Sequence, residues 1–259
     1  MKAALVVVQV CSDAAENLGA VCQATNRAAE AGCRLVLFGE AVLTGLVNRD
    51  DPAHDLPMGE PIPGPATAAV GRVAAANGIY VGLGLLERDD RRLYDSAALL
   101  GPNGDLLLHY RRIQPDWHGR RADDRVYRQG RIIPQAQTEL GRVAFLICGD
   151  LFDDEVVSAA HALEPDLLLY PFWRTFDDGS VDDLRWQLEE AEDYGERVAE
   201  VGAPTLMVSS LGPQSPQGGA FGGAFALDAC GRTVDRLPLG REGMLIVEVP
   251  HAGRQRKSR

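Results

Sequence analysis

Ala3-Ala4-Leu5-Val6-Val7-Val8-Gln9-Val10 is an apolar run of strand length, and the residues that follow it decide the fold class. Between 15 and 31, Leu18, Val21, Cys22, Thr25, Ala28 and Ala29 recur on one face of a helix. Gly32 suits the end of that helix, and residues 34–38 form a second apolar strand running into Gly39-Glu40. This is a β-α-β unit.

Working outward, residues 46–64 are rich in Pro, Gly and Asp and read as a surface loop. Pro65 opens a helix that Gly78 closes. Strands are expected at 79–86 and 93–100, then a turn at Gly101-Pro102-Asn103-Gly104-Asp105 and a strand at 106–112. Residues 113–130 show no period. Further strands are expected at 142–148, 166–170, 204–210, 221–228 and 243–249, with helices near 154–163 and 182–201. Strands exceed what one doubly wound sheet needs, so two packed sheets with helices outside are expected. Residues 1–250 read as a single domain, and 251–259 as a basic, solvated and mobile tail.

At 259 residues, 46% hydrophobic and 24% charged, the chain has an ordinary globular composition. The net charge of −11 argues against a nucleic-acid surface. No run approaches the roughly 18 apolar residues that span a bilayer, and the expected location is the cytoplasm. The cysteines Cys11, Cys22, Cys33, Cys148 and Cys230 are odd in number and scattered, unlike a disulfide framework. The histidines lack metal-ligand spacing, so no metal is expected. Lys2 and Lys257 are the only lysines, which excludes a P-loop and any other lysine chemistry in the body of the fold.

Two residues could carry chemistry. Cys148 ends the run Val143-Ala144-Phe145-Leu146-Ile147 and precedes a helix, where backbone N–H groups stabilise a thiolate. Glu40 ends the strand at 34–38, where a buried carboxylate can act as a base toward a thiol. A buried inert cysteine and an ordinary loop acid are the alternatives. Phe172 and Trp173 follow a strand on the side of Cys148 and could line a pocket or pack against the adjacent helix.

The surroundings of these residues resemble the nitrilase superfamily of carbon–nitrogen hydrolases. The resemblance rests on Val36-Leu37-Phe38-Gly39-Glu40 through Leu43-Thr44-Gly45, Tyr94-Asp95-Ser96-Ala97 and Tyr110-Arg111-Arg112. It continues through Gly130, Ile147-Cys148-Gly149-Asp150, Arg197 and Glu200, Gly212 and Phe221 with Gly223. It implies a four-layer α-β-β-α sandwich, a homodimer paired through helices beside the site, and a Glu–Lys–Cys triad spread over three strand ends. Glu40 and Cys148 match that triad, while its lysine position is Arg112. A second acid of the family falls on Asp123, with Asp124 adjacent, and a longer Arg112 facing a shorter Asp123 would keep the reach of an ion pair.

The implied chemistry is attack of Cys148 on a small amide or nitrile, with Glu40 moving the proton. Arg112 and the Gly149 N–H would hold the oxyanion, without metal or organic cofactor. Phe172 and Trp173 are the substrate-side candidates. The alternative is a catalytically weakened homologue, marked by Arg112, that binds a small ligand or a protein partner.

Overall fold

The computed structural model describes residues 1–46, 48–212 and 219–249. The basic tail expected at 251–259 lies outside them. The opening unit forms as the periodicity predicts: β1 (Lys2–Val7), α1 (Ala14–Glu30) and β2 (Leu35–Phe38). Asp13 caps α1 by accepting from Ala15 N–H and Glu16 N–H, which start the helix with no other partner. The segment 46–64 is more ordered than its composition suggests, with a short helix α2 (Pro52–Asp55) and a 3-10 turn at Leu56–Met58. Asp51 caps α2 and Pro52 sits at its first position, so local turn chemistry suffices to wind it.

The chain continues as α3 (Pro65–Asn77), β3 (Tyr80–Asp89), β4 (Arg92–Leu100), β5 (Leu106–Arg111), β6 (Gln135–Thr138) and β7 (Gly141–Phe145). A 3-10 turn at Cys148–Phe152 leads to α4 (Asp154–Ala162) and β8 (Leu167–Phe172). Then come α5 (Asp183–Arg185), a π-helical turn at Trp186–Glu190 and α6 (Ala191–Val201). Strands β9 (Thr205–Ser209), β10 (Ala224–Leu227), β11 (Thr233–Leu237) and β12 (Gly243–Glu248) complete the described fold. The acidic helix expected at 182–201 is therefore interrupted by the π-helical turn.

Two six-stranded sheets run β12-β1-β2-β3-β4-β5 and β11-β10-β9-β8-β7-β6. Each has a parallel triplet, β1-β2-β3 or β7-β8-β9, with antiparallel strands on both flanks. The inner faces share one core, in which Leu5, Leu37 and Tyr110 of the first sheet lie with Phe145 and Leu169 of the second. On the outer face of the first sheet, Val21, Ala24 and Ala28 of α1 and Val70 and Ala74 of α3 cover Val36, Phe38, Val81 and Leu83. Val157 of α4 and Val198 of α6 pack with the second sheet. The architecture is a four-layer α-β-β-α sandwich. Burying each such Leu, Val or Phe is worth about 1.5–3 kcal/mol, which is why the apolar strands end up between the layers.

The end of β5 is fastened by Glu87. This buried carboxylate accepts from Ser96 Oγ at 2.6 Å, His109 Nε2 at 2.8 Å and Arg111 Nε at 2.9 Å. Burial pushes its pKa up, but the hydrogen bonds from His109, Arg111 and Ser96 outweigh burial and hold it at about 2. An acid with a depressed folded pKa stabilises the protein above its unfolded value, and that contribution disappears as pH falls through the folded one. Glu87→Gln is therefore expected to cost about 2 kcal/mol at neutral pH. Denaturant titrations should show the cost shrinking between pH 4.5 and about 2, the ordinary and folded values.

Candidate active site

Glu40 lies just past β2, Arg112 just past β5 and Cys148 just past β7, all at carboxyl ends of strands. The structure thus brings together the two strand-end candidates, Glu40 and Cys148, with Arg112, which the family resemblance had pointed to. Backbone packing makes room for each. Gly84 of β3 has no side chain, and a Cβ there would sit 2.6 Å from the Glu40 Cα. The turn bearing Glu40 presses onto that bare strand, with Val42 N–H donating to Gly84 O and Gly84 N–H to Gly39 O.

Cys148 adopts φ of +45°, a conformation that costs a non-glycine residue about 1–3 kcal/mol and survives only where neighbours impose it. Asp150 does so. Its Oδ2 accepts from Tyr110 Oη at 2.6 Å and Ile147 N–H at 3.0 Å. Its Oδ1 accepts from Ile113 N–H at 3.0 Å and Gln114 N–H at 2.8 Å. One buried carboxylate therefore ties the turn of Cys148 to the segment that follows Arg112. Tyr170 Oη donates to the Cys148 carbonyl at 2.5 Å, and Cys148 Sγ faces the Trp173 carbonyl at 3.5 Å.

Arg112 is buried and forks between several acceptors. Its Nη1 donates to Glu40 Oε1 at 3.1 Å and to Asp95 Oδ2 at 3.4 Å, while Nη2 donates to Gln114 Oε1 at 2.8 Å. Gly149 matters here as well, since a Cβ on it would lie 2.5 Å from Arg112 Nη2. Burial lifts the Glu40 pKa well above the carboxylate range, and Asp95 and Cys148 push the same way against Arg112. Burial also raises Asp95, opposed by its hydrogen bond with Glu40 and by Arg112. Burial alone would lower Arg112, but the surrounding Cys148, Glu40, Asp95 and Asp150 reverse this and raise it, so the guanidinium stays charged.

Three expectations are corrected. Asp123 does not hold Arg112: it forms a bidentate pair with Arg125, two residues away, at the surface. Its neighbour Asp124 only offers its carbonyl to Arg128. The second carboxylate on Arg112 is Asp95, in the middle of β4. An acid in mid-strand was the available signal, and the family resemblance ran through Asp95 without giving it a role. Phe172 does not line the pocket, because it is fully buried and stacks with Tyr170 and Trp186. Trp173, one residue on, points the other way and borders an opening shared with Asp116 and Arg174. Because Asp123 pairs with Arg125 at the surface, Asp123→Asn is expected to leave any turnover unchanged within error, whereas a role behind Arg112 would require a loss.

Cys148 opens into a cavity of about 640 Å³ lined by Asp116, Gly149, Phe152, Arg174, Glu189, Glu190, Asp193 and Tyr194. Arg174 is already paired with Glu190, so the rim is net acidic. No group of three or more His, Cys, Asp or Glu among the described residues is placed to hold a metal ion. No helix among them is long and apolar enough to cross a membrane.

A cysteine, a carboxylate and a cation converge at the strand ends of a two-sheet sandwich, as in thiol hydrolases. Residues 2–257 match the family described as carbon-nitrogen hydrolase, and the chain belongs to that family. Cyanide hydratase of Alternaria brassicicola is 33% identical over 136 residues, 48% of this chain and 36% of that relative. An omega-amidase of Xenopus tropicalis is 33% identical over 99 residues, 38% of this chain and 34% of the relative. The chain thus spans about a third of the length of the curated relatives it matches. A variant of the amidase from Nesterenkonia sp. AN1, with acrylamide added at its active-site cysteine, shares the fold at TM-score 0.79. That likeness covers 99% of this chain and 96% of the other at 21% identity.

Proposed function

We propose that the protein is an amidase-type hydrolase that cleaves a carbon–nitrogen bond of a small molecule through a Cys148 acyl-enzyme. The observation that carries this is the contact of buried Arg112 with Glu40 beside the strained turn of Cys148. Glu40 accepts the thiol proton, the sulfur attacks the amide carbon, and Glu40 returns the proton to the leaving amine. Arg112 and the Gly149 N–H stabilise the oxyanion, an electrostatic task that a guanidinium can perform. Water, deprotonated by Glu40, then releases the acid. With Asp116 and Asp193 on the rim, and Glu189 already paired with Arg185, a neutral or cationic amide enters more readily than one bearing a carboxylate.

The free cysteines suit a reducing cytoplasm. Exposed Leu184 and Leu188, close in sequence to the rim acids, with Phe152 on the rim itself, suit a homodimer paired beside the site, which sedimentation would detect.

Brief iodoacetamide treatment at neutral pH tests the nucleophile. Cys148 is half-buried and Cys230 exposed, so accessibility alone favours Cys230. Burial raises the pKa of Cys22 and Cys33 and makes them poor competitors. Peptide mapping is expected to show Cys148 alkylated first, and small amides to protect it. Labelling in order of exposure would remove the case for an activated thiol.

A further inference from the structure

We propose that Glu40 and Asp95 form a carboxyl pair holding one proton between them at neutral pH, with Asp95 the positioning residue that can take up that proton and free Glu40 to receive the thiol's. Its catalytic consequence rests on the reading of Cys148 and Glu40 above; the pair itself does not.

The charge count is the first reason. Both carboxyl side chains are fully buried, and both reach the same nitrogen, Arg112 Nη1. One guanidinium cannot neutralise two buried carboxylates, and an uncompensated buried charge costs several kcal/mol. The hydrogen-bond count is the second. Glu40 Oε2 and Asp95 Oδ1 are buried and have no donor among the described residues, although the two carboxyl groups lie within hydrogen-bonding reach of one another. A single proton turns one acceptor into a donor and resolves both counts.

The other ionisable groups nearby are Arg112 and Tyr110, Cys148 and Asp150 of the strained turn, Tyr170 on β8 and Tyr194 on α6. Asp150 is already filled by four donors, which leaves Asp95 as the partner for the proton. Transfer from Cys148 to Glu40 then keeps the set of Arg112, Glu40, Asp95 and Cys148 neutral, with Arg112 balancing first the carboxylate and afterwards the thiolate. An ionised Asp95 would leave two anions against one cation. The pair also gives Arg112 a reason to be Arg: its fork serves Glu40, Asp95 and Gln114 at once, which a compact ammonium does not.

Infrared spectroscopy of the unaltered protein is the direct test. At neutral pH it should show the carbonyl stretch of a protonated, buried carboxylic acid. That band should vanish in Asp95→Asn and equally in Glu40→Gln, because either change leaves one carboxylate to pair with Arg112. Its absence from the wild type, or its survival in either variant, would overturn the proposal. The kinetic arm is the pH profile of kcat/KM. Loss of the last shared proton sets its alkaline limb, so Asp95→Asn should move that limb upward by about one pH unit or more. An unmoved limb also counts against the pair. Should no amide be turned over, the infrared result still decides. Should the band fail while Cys148 labelling and turnover persist, the hydrolase reading stands without the pair.

Discussion

Replacing Glu40 by Gln is expected to abolish amide turnover, on the order of 10⁴-fold or more, while the melting temperature stays level or rises. Gln preserves the shape and still accepts from Arg112 Nη1, but it cannot take the thiol proton. The stability half follows from linkage. Burial, Asp95 and Cys148 lift the folded pKa of Glu40 well above its ordinary value of 4.5. As pH rises past that value the unfolded chain releases this proton before the folded protein does, so the wild type loses stability over that interval. The Gln variant has no such loss, and thermal melts from pH 4 to 8 should show the two proteins diverging in its favour. A variant that is inactive and also markedly less stable would mean that Glu40 serves packing rather than proton transfer.

Arg112→Met should do the opposite to stability and the same to rate. It removes the cation that the buried carboxyl groups of Glu40 and Asp95 share, and breaking a buried pair from one side costs about 3 kcal/mol or more. For a chain of this size that is a fall of roughly 6–12 °C in Tm. Both carboxyls can take up protons, so the deficit should shrink as pH is lowered, a signature that simple loss of packing would not give. Turnover should drop by about 10²–10³-fold from the oxyanion role alone. Activity near wild type would place the oxyanion-stabilising charge elsewhere.

Much of this site was legible in the chain. Glu40, Arg112 and Cys148 each follow an apolar strand, and polar residues at strand ends escape the core while facing the same rim. The elements around them were equally readable: α1 from its apolar stripe, α3 from Pro65 and Gly78, and the β4–β5 hairpin from its turn. Two strands were not. β6 (Gln135–Thr138) is a short, polar edge strand, and β11 (Thr233–Leu237) is largely exposed, so neither carries the hydrophobic alternation that marks a strand. Both exist because a neighbouring strand supplies their hydrogen bonds.

The second acid shows where reading along the chain stops. The family resemblance pointed to Asp123, yet Arg125 lies two residues away and satisfies it locally. Asp95 sits on a strand among residues that pack inward, and nothing adjacent in sequence names its partner. Likewise Phe172 and Trp173 are equivalent by composition, yet Phe172 at the end of β8 packs in the core against Trp186, while Trp173 joins the core beneath α1 and α3 and borders a separate opening. Local pattern thus sufficed for most strands and for the strand-end positions of Glu40 and Cys148, because periodicity and turn chemistry act over a few residues. The four layers and Arg112 came from the family resemblance. Which carboxylates meet Arg112, 17 and 72 residues away, depended on how β2, β4 and β5 align in one sheet. Those ion pairs exist only once burial has removed water from every partner.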